Sequence, residues 1–332
     1  MAASLLLFGV SLTVTLFAAR TFARHLDDLG VHLGLPEAFI GLLTALAADG
    51  PEIASSLTAL VKGAGGVSLG VVVGSNLFNL AAMVGVSALL VGAVSLRREA
   101  LTLEGFVTAA ASAIVAALVL GAYPAVVAIV LLACLLGPYA TLLVKGAELA
   151  ERAPLPSAVM SGLMLALSEH TDEGEGTAAS SPGIARRTPL FMAGSVVLIV
   201  AGSIGMVETA LSLAATWHIA QSAVGFLILG PLTSIPNAAT AVRLGLARRG
   251  SALVSDTFNS NTINLAAGVA IPGLFVGVVN TSASVVFDLL LLIAMTALVI
   301  ALLAQRRGIG RRGGAALMAI YAVFVIVELL TG

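Results

Sequence analysis

The chain has 332 residues, of which 59% are hydrophobic and only 10% charged, and its net charge is −1. A water-soluble domain carries roughly 25% charged residues, so the composition excludes water as the main solvent. The small net charge gives no reason to expect nucleic acid as a partner, and a mean hydropathy of +1.10 makes the lipid bilayer the expected one.

A membrane-crossing helix takes about 20 mostly apolar residues. On that measure ten spans follow in chain order: 3–19, 38–61, 69–91, 101–120 and 122–143, then 190–214, 223–246, 253–278, 284–303 and 314–330. The N-terminus has no basic leader and no clear cleavage site, so 3–19 reads as the first membrane helix and not as a removed signal. The single cysteine, Cys134, lies in an apolar run and reads as a packing residue. Between the two sets of five spans, a polar stretch from Ser168 to Glu175 leads into small residues and Arg186-Arg187. It reads as a solvated linker, with a short surface helix over 154–167. As a regulatory cation site, Glu169, Asp172, Glu173 and Glu175 lack the spacing of a calcium loop.

With the N-terminus outside, every basic residue but Lys62 falls on the cytoplasmic side, as the positive-inside rule requires. The expected organisation is an all-α, multi-pass protein of the cell (inner) membrane. Residues 1–146 form a first five-helix repeat, 147–188 a cytoplasmic linker and 189–332 a second five-helix repeat. An odd number of spans per half makes the ten transmembrane helices two inverted repeats, a recurrent transporter design.

The repeats are visible in the residues. Asp49-Gly50-Pro51-Glu52 is followed by Gly74-Ser75-Asn76-Leu77-Phe78-Asn79. Thr233-Ser234-Ile235-Pro236-Asn237 is followed by Asn259-Ser260-Asn261-Thr262-Ile263-Asn264. The pairs Pro51 and Pro236, Asn76 and Asn261, and Asn79 and Asn264 are each 185 residues apart. A proline lacks the amide hydrogen, so Pro51 releases the carbonyl of Ala47, and Pro236 that of Leu232. Carboxylate, amide, hydroxyl and freed carbonyl oxygens with no His or Cys suit hard cations such as calcium, sodium or protons. Candidate ligands are Glu52, Asp49, Ser75, Asn79, Thr233, Ser234, Asn237, Ser260 and Asn264. Asn76 and Asn261 divide evenly between this role and interhelical hydrogen bonding. Asp256 reads equally as a ligand, a proton site or a partner for Thr233. Glu104 and Asp288 sit near helix starts, where a carboxylate favours the helix dipole. Glu208 also falls within or near a span, and Glu328 reads as reaching the membrane interface.

These motifs resemble the cation/calcium antiporter superfamily, most closely its prokaryotic sodium/calcium exchanger branch. Pro51-Glu52 and Gly74 to Asn79 match the first of its two repeat motifs; Thr233 to Pro236 and Ser260-Asn261 with Asn264 match the second. The resemblance implies that the second, third, seventh and eighth helices form the ion site while the first and sixth slide across it. It implies ligands at Glu52, Ser75, Asn79, Thr233, Ser234, Ser260 and Asn264.

Two departures stand out. Asn237 replaces the second repeat's glutamate, and Ala48-Asp49 replaces the first repeat's Thr-Ser. Either a carboxylate has moved across the pseudo-symmetry axis to Asp49, keeping a site charge of two, or Asp49 points elsewhere and one carboxylate remains. The glycine of the Ile40-Gly41 element lies 10 residues before Pro51, whereas Gly225 lies 11 before Pro236, which bears on where Asp49 falls.

The expected function is secondary active antiport, calcium leaving in exchange for sodium. A proton-coupled calcium or sodium antiporter is the second reading, since close carboxylates such as Asp49 and Glu52 titrate as a pair. A non-transporting membrane sensor or assembly partner with a degenerate ion site is the third. Inorganic cations are then substrates, with no cofactor. His25, His32, His170 and His218 lie at loops or helix ends without a metalloprotease or nucleophile-elbow pattern, so no enzyme is expected.

Overall fold

The apolar runs of the sequence are helical in the computed structural model, which describes residues 2–33, 37–96, 98–152, 188–305 and 308–331. The acidic stretch around Glu169, Asp172, Glu173 and Glu175 and the surface helix expected at 154–167 lie outside the described residues.

In the first half, α1 spans Ala2–His32, α2 Glu37–Ala48 and α3 Gly50–Val61. Helix α4 (Gly65–Phe78) runs through a π-helical segment at Asn79–Val86 into α5 (Ser87–Val91). Helices α6 (Arg98–Val119) and α7 (Ala125–Arg152) complete this half. In the second half α8 spans Thr188–Trp217. Then α9 (Gln221–Val224), a π turn at Gly225–Leu229, α10 (Gly230–Thr233) and α11 (Ile235–Leu246) follow in one broken run. Helix α12 (Gly250–Leu265) passes through a π turn at Ala266–Ala270 into α13 (Ile271–Val276). The last two helices are α14 (Ala283–Leu303) and α15 (Arg311–Thr331). One departure from an all-helical fold is a two-residue antiparallel ladder joining β1 (Ala93–Val94) to β2 (Ile309–Gly310), with Ala93 opposite Gly310.

Seven of the described helices are long and apolar enough to cross a membrane, or eight if the bent run 221–246 is one span. The runs 37–61 and 250–276 lie outside that count, and they carry Asp49, Glu52, Asp256, Ser260 and Asn264. Several helices outrun their expected spans. At 31 residues α1 is about 46 Å long at 1.5 Å per residue, against a hydrocarbon core of about 30 Å. Nothing stops it at residue 19, because Arg20, Arg24 and Asp28 propagate a helix and the next glycine is Gly30.

Packing divides the helices into an enclosed group and an outer layer. Most of α4 is buried, and Val67, Val71, Val72 and Leu80 are fully enclosed. By contrast Leu6, Val10 and Phe17 of α1 and Leu190 and Val197 of α8 are exposed. Such large apolar faces are stable against lipid and not against water. Cys134 shares this outward exposure, so it is not the packing residue that its apolar neighbours implied.

Helices α1 and α8 lie against each other through small residues. A Cβ on Gly205 would fall 2.5 Å from Ser11 Oγ, and one on Gly202 would meet Thr15. A second close crossing brings α4 onto the run 221–233. There a Cβ on Gly74 would come 2.7 Å from Phe226 Cα, and one on Gly230 2.7 Å from Ser75 N. In lipid, such backbone approach supplies the van der Waals contact that drives helix association.

Candidate functional site

Each proline sits at a break between two helices. Pro51 occupies the first turn of α3 and Pro236 that of α11, positions where the missing amide hydrogen costs no helical bond of the new helix. The hydrogen-bond ladder continues around each break: Asp49 N to Ala45 O is 3.0 Å and Ile53 N to Asp49 O 3.1 Å. The matching bonds are Ser234 N to Gly230 O at 3.2 Å and Ala238 N to Ser234 O at 3.0 Å. Helices α10 and α11 meet at 48°. Both breaks therefore keep the helical hydrogen-bond ladder and are not unwound loops.

The one-residue difference between the two halves has a local solution. Residues 37–48 are regular α-helix, whereas the second half has the π turn Gly225–Leu229. A π turn accommodates one inserted residue within a helix. The extra residue is absorbed there, before the break, so Asp49 and Ser234 are equivalent break residues and Glu52 and Asn237 each follow three positions later.

These four side chains meet as two crossed pairs. Asn237 Nδ2 donates to Asp49 Oδ1 at 2.8 Å, and Ser234 Oγ donates to Glu52 Oε1 at 2.9 Å. Each break residue of one half thus reaches the later residue of the other. Ser260 Oγ donates to Asp49 Oδ1 at 2.6 Å and accepts from Asn79 Nδ2 and Asn237 Nδ2, both at 3.3 Å. Asp49, Glu52, Ser234, Asn79 and Asn264 are all essentially inaccessible.

Behind the carboxylates lies a second reciprocal set. Asn76 Nδ2 donates to the Asn261 carbonyl at 3.0 Å, and Asn261 Nδ2 to the Asn76 carbonyl at 3.1 Å. Asn79 Nδ2 donates to Asn261 Oδ1 at 3.1 Å, and Asn264 Nδ2 to Asn76 Oδ1 at 3.4 Å. Asn76 and Asn261 clasp α4 to α12, which decides their evenly divided reading for interhelical bonding. Directly after Asn79 and close after Asn264, both halves turn π-helical.

On these site side chains four buried oxygens have no hydrogen-bond donor: Asp49 Oδ2, Glu52 Oε2, Asn79 Oδ1 and Asn264 Oδ1. Buried polar atoms are nearly always paired, and an orphan costs about 1–3 kcal/mol. The donor set is two carboxylate and two amide oxygens, which suits a hard cation. No group of three or more His, Cys, Asp or Glu occurs among the described residues.

Other expected ligands are placed differently. The Ser75 hydroxyl donates to Val72 O at 3.0 Å, and that of Thr233 to Leu229 O at 2.8 Å and Gly230 O at 3.0 Å. Both protons stay within their own helical segments, leaving only oxygen lone pairs for a cation. Thr233 is therefore not bonded to Asp256, which sits one turn before Ser260 and is an electrostatic neighbour of Asp49. Glu104 accepts from Ser255 at 2.9 Å, a buried interhelical bond. Lys62, the lone exception to the charge pattern, pairs with Glu208 of α8 at 2.5 Å. Glu328, in the last turn of α15, is buried against protein at 3% exposed, which the sequence does not foretell because distance from the chain end says nothing about the helix face.

Similarity to known proteins extends over most of the chain. The family model described as sodium/calcium exchanger protein matches residues 3–144 and 188–330. The sodium/calcium exchanger MaX1 of Methanosarcina acetivorans is 43% identical over 70 residues, which are 21% of this chain and 20% of that protein. The putative antiporter CaxA of Alkalimonas amylolytica is 30% identical over 82 residues, 24% of this chain and 26% of that one. The matched stretches thus span about a fifth and a quarter of these relatives. In structure, the sodium-calcium exchanger NCX_Mj soaked with sodium and strontium superposes with a TM-score of 0.59 at 17% identity, covering 98% of both chains. The same exchanger soaked without sodium and calcium gives 0.58 at 18% identity, again over 98% of each chain. At that identity the likeness is one of fold.

Proposed function

Because the chain belongs to the sodium/calcium exchanger protein family, we propose that it is a secondary active antiporter of the cell (inner) membrane, exporting calcium in exchange for entering sodium. The runs 37–61 and 250–276 then count as spans beside the other eight, giving ten in two inverted halves. The single observation that carries the reading is that Asp49, Glu52, Asn79 and Asn264, held in the hydrogen-bond network above, each keep one buried oxygen without a donor. A bare cation would satisfy all four at once.

In this reading the carboxylate lost at Asn237 is replaced by Asp49, so the site keeps two negative charges, both in the first half. The crossed bonds Asn237 to Asp49 and Ser234 to Glu52 orient the inner oxygen of each carboxylate and leave the outer one for the ion. Ser75, Thr233, Ser234, Asn237 and Ser260 supply lone pairs or hold the charged groups in place. Calcium and sodium compete for the same oxygens, which couples their opposite movements. Alternating access comes from α1 and α8 moving as a pair across the site. Their close mutual packing and outward apolar faces support this. Side-chain links from α8 to α3 include Ser55 to Ser203 at 3.4 Å and the Lys62–Glu208 pair.

Proton-coupled exchange is the second reading. It is favoured by the absence, among the described residues, of any Lys, Arg or His bonded to the two carboxylates. Reconstitution into liposomes with calcium, sodium and proton gradients imposed one at a time separates the readings. The first requires calcium uptake driven by an outward sodium gradient and abolished without sodium. Calcium movement driven by a pH gradient in sodium-free medium would replace it by the second, and no cation movement in a folded preparation would remove both.

A further inference from the structure

Away from this site, α14 and α15 each carry one acidic residue with almost no accessible surface. Asp288 is fully buried, in the second turn of α14, among Val285, Leu289 and Leu292 of its own helix. Glu328, near the end of α15, is nearly as buried and faces it. Neither oxygen of Asp288 has a hydrogen-bond partner. A lone ionised carboxylate in an apolar interior is among the costliest groups a protein can hold, and two side by side repel as well.

Among the described residues no cation is paired with either carboxylate. Helix α4, the π segment Asn79–Val86, α5 and β2 pack against α14 or α15 and contain no charged residue. On α6 the charged residues are Arg98, Glu99 and Glu104, all at its start. Gly105 of α6 faces Ile300, which is 12 residues from Asp288 along α14, about 18 Å at 1.5 Å per residue. Arg311 and Arg312 lie at the far end of α15. Tyr321, two turns before Glu328, packs edge-on to Phe78 at 6.1 Å and is the remaining titratable group on that helix.

We propose that Asp288 and Glu328 form a second, proton-binding site, in which one proton bridges the two carboxylates between α14 and α15. Calcium takes six to eight oxygens and magnesium six. Two carboxylates in apolar surroundings offer four at most, whereas a single shared proton removes one charge and gives Asp288 the bond it lacks. The site also has a route to the transport machinery. Helix α15 packs along Asn79–Val86, where a Cβ on Gly85 would lie 3.3 Å from Gly314 O, and that segment begins with Asn79.

The test uses full-length protein carrying Asp49→Asn and Glu52→Gln, so that the transport site contributes no carboxylic acid and the outcome is independent of what that site carries. Infrared spectra at neutral pH, with and without added Asp288→Asn and Glu328→Gln, are compared for the protonated-carboxyl band. A band lost on adding the pair of substitutions is expected; a spectrum unchanged by them would overturn the proposal. Asp288→Asn and Glu328→Gln remove both charges at nearly constant volume, so the fold is expected to survive them. The melting temperature of the background protein should fall as pH rises, because the folded state would bind more protons than the unfolded one. With the added substitutions that fall should shrink or vanish; an identical pH dependence would count against the site. Sodium or calcium binding by calorimetry that only the added substitutions abolish would make it a metal site and refute the proton.

Discussion

Replacing Glu52 by glutamine removes a charge and almost nothing else. The amide oxygen can take the place of Oε1 and still accept from Ser234 Oγ, now at 2.9 Å. The amide nitrogen takes the place of Oε2, which no donor meets, so no donor is pushed against another. Stability should change little. Cation affinity should change greatly. At an effective dielectric constant of about 20, a unit charge 4 Å from a carboxylate gains about 4 kcal/mol, and a divalent ion about 8 kcal/mol. If Ser234 and rearranged dipoles return half, roughly 4 kcal/mol is lost for calcium and 2 kcal/mol for sodium. Those losses correspond to about a thousandfold and about thirtyfold weaker binding. Glu52→Gln should therefore lose calcium affinity far more than sodium affinity, read by calorimetric titration of both ions on purified protein. A folded Glu52→Gln protein that binds calcium within tenfold of the parent would refute the argument that this carboxylate faces the ion.

Exchanging the partners of the 2.8 Å bond, Asp49→Asn with Asn237→Asp, keeps both the bond and the total charge. The double variant should retain calcium binding while Asp49→Asn alone loses at least tenfold; equal losses would show that Asp49 matters by position and not by charge. Gly74→Ala should destabilise by about 1–3 kcal/mol, because its Cβ would lie 2.7 Å from the Phe226 backbone. Gly9→Ala, which meets nothing within 4 Å, should not destabilise; thermal melting in detergent reads both. The Lys62→Glu and Glu208→Lys variants should each slow transport, and the double variant should recover it. Failure of the recovery would mean the pair does not couple α3 to α8.

The site was legible in the sequence because its logic is a constant spacing. Positions 185 residues apart picked out both breaks, both Ser-Asn…Asn sets and the displaced carboxylate. Polar residues in apolar runs are few, so each one is informative. Helix azimuth was not legible. In a helix apolar all round, a residue facing lipid and one facing protein have the same character. For that reason Cys134, which reads as packed, is exposed, and nothing in the sequence marks the face of α15 on which Glu328 is buried. Hydroxyl direction was also hidden: Ser75 and Thr233 donate back into their own helical segments, a choice that residue type leaves open. The π turn at 225–229 was foreshadowed only as an unexplained extra residue, because a sequence records an insertion but not whether a loop or a helix absorbs it.

The central claim is that one transported cation completes the four orphaned oxygens of the two halves. Crystals soaked in strontium, a calcium surrogate with usable anomalous scattering, test it directly. A peak bridging Asp49 Oδ2, Glu52 Oε2, Asn79 Oδ1 and Asn264 Oδ1, at about the 2.3–2.6 Å typical of calcium ligands, is the expected result. A well-occupied peak elsewhere in the membrane interior, with these oxygens still unligated, would contradict it.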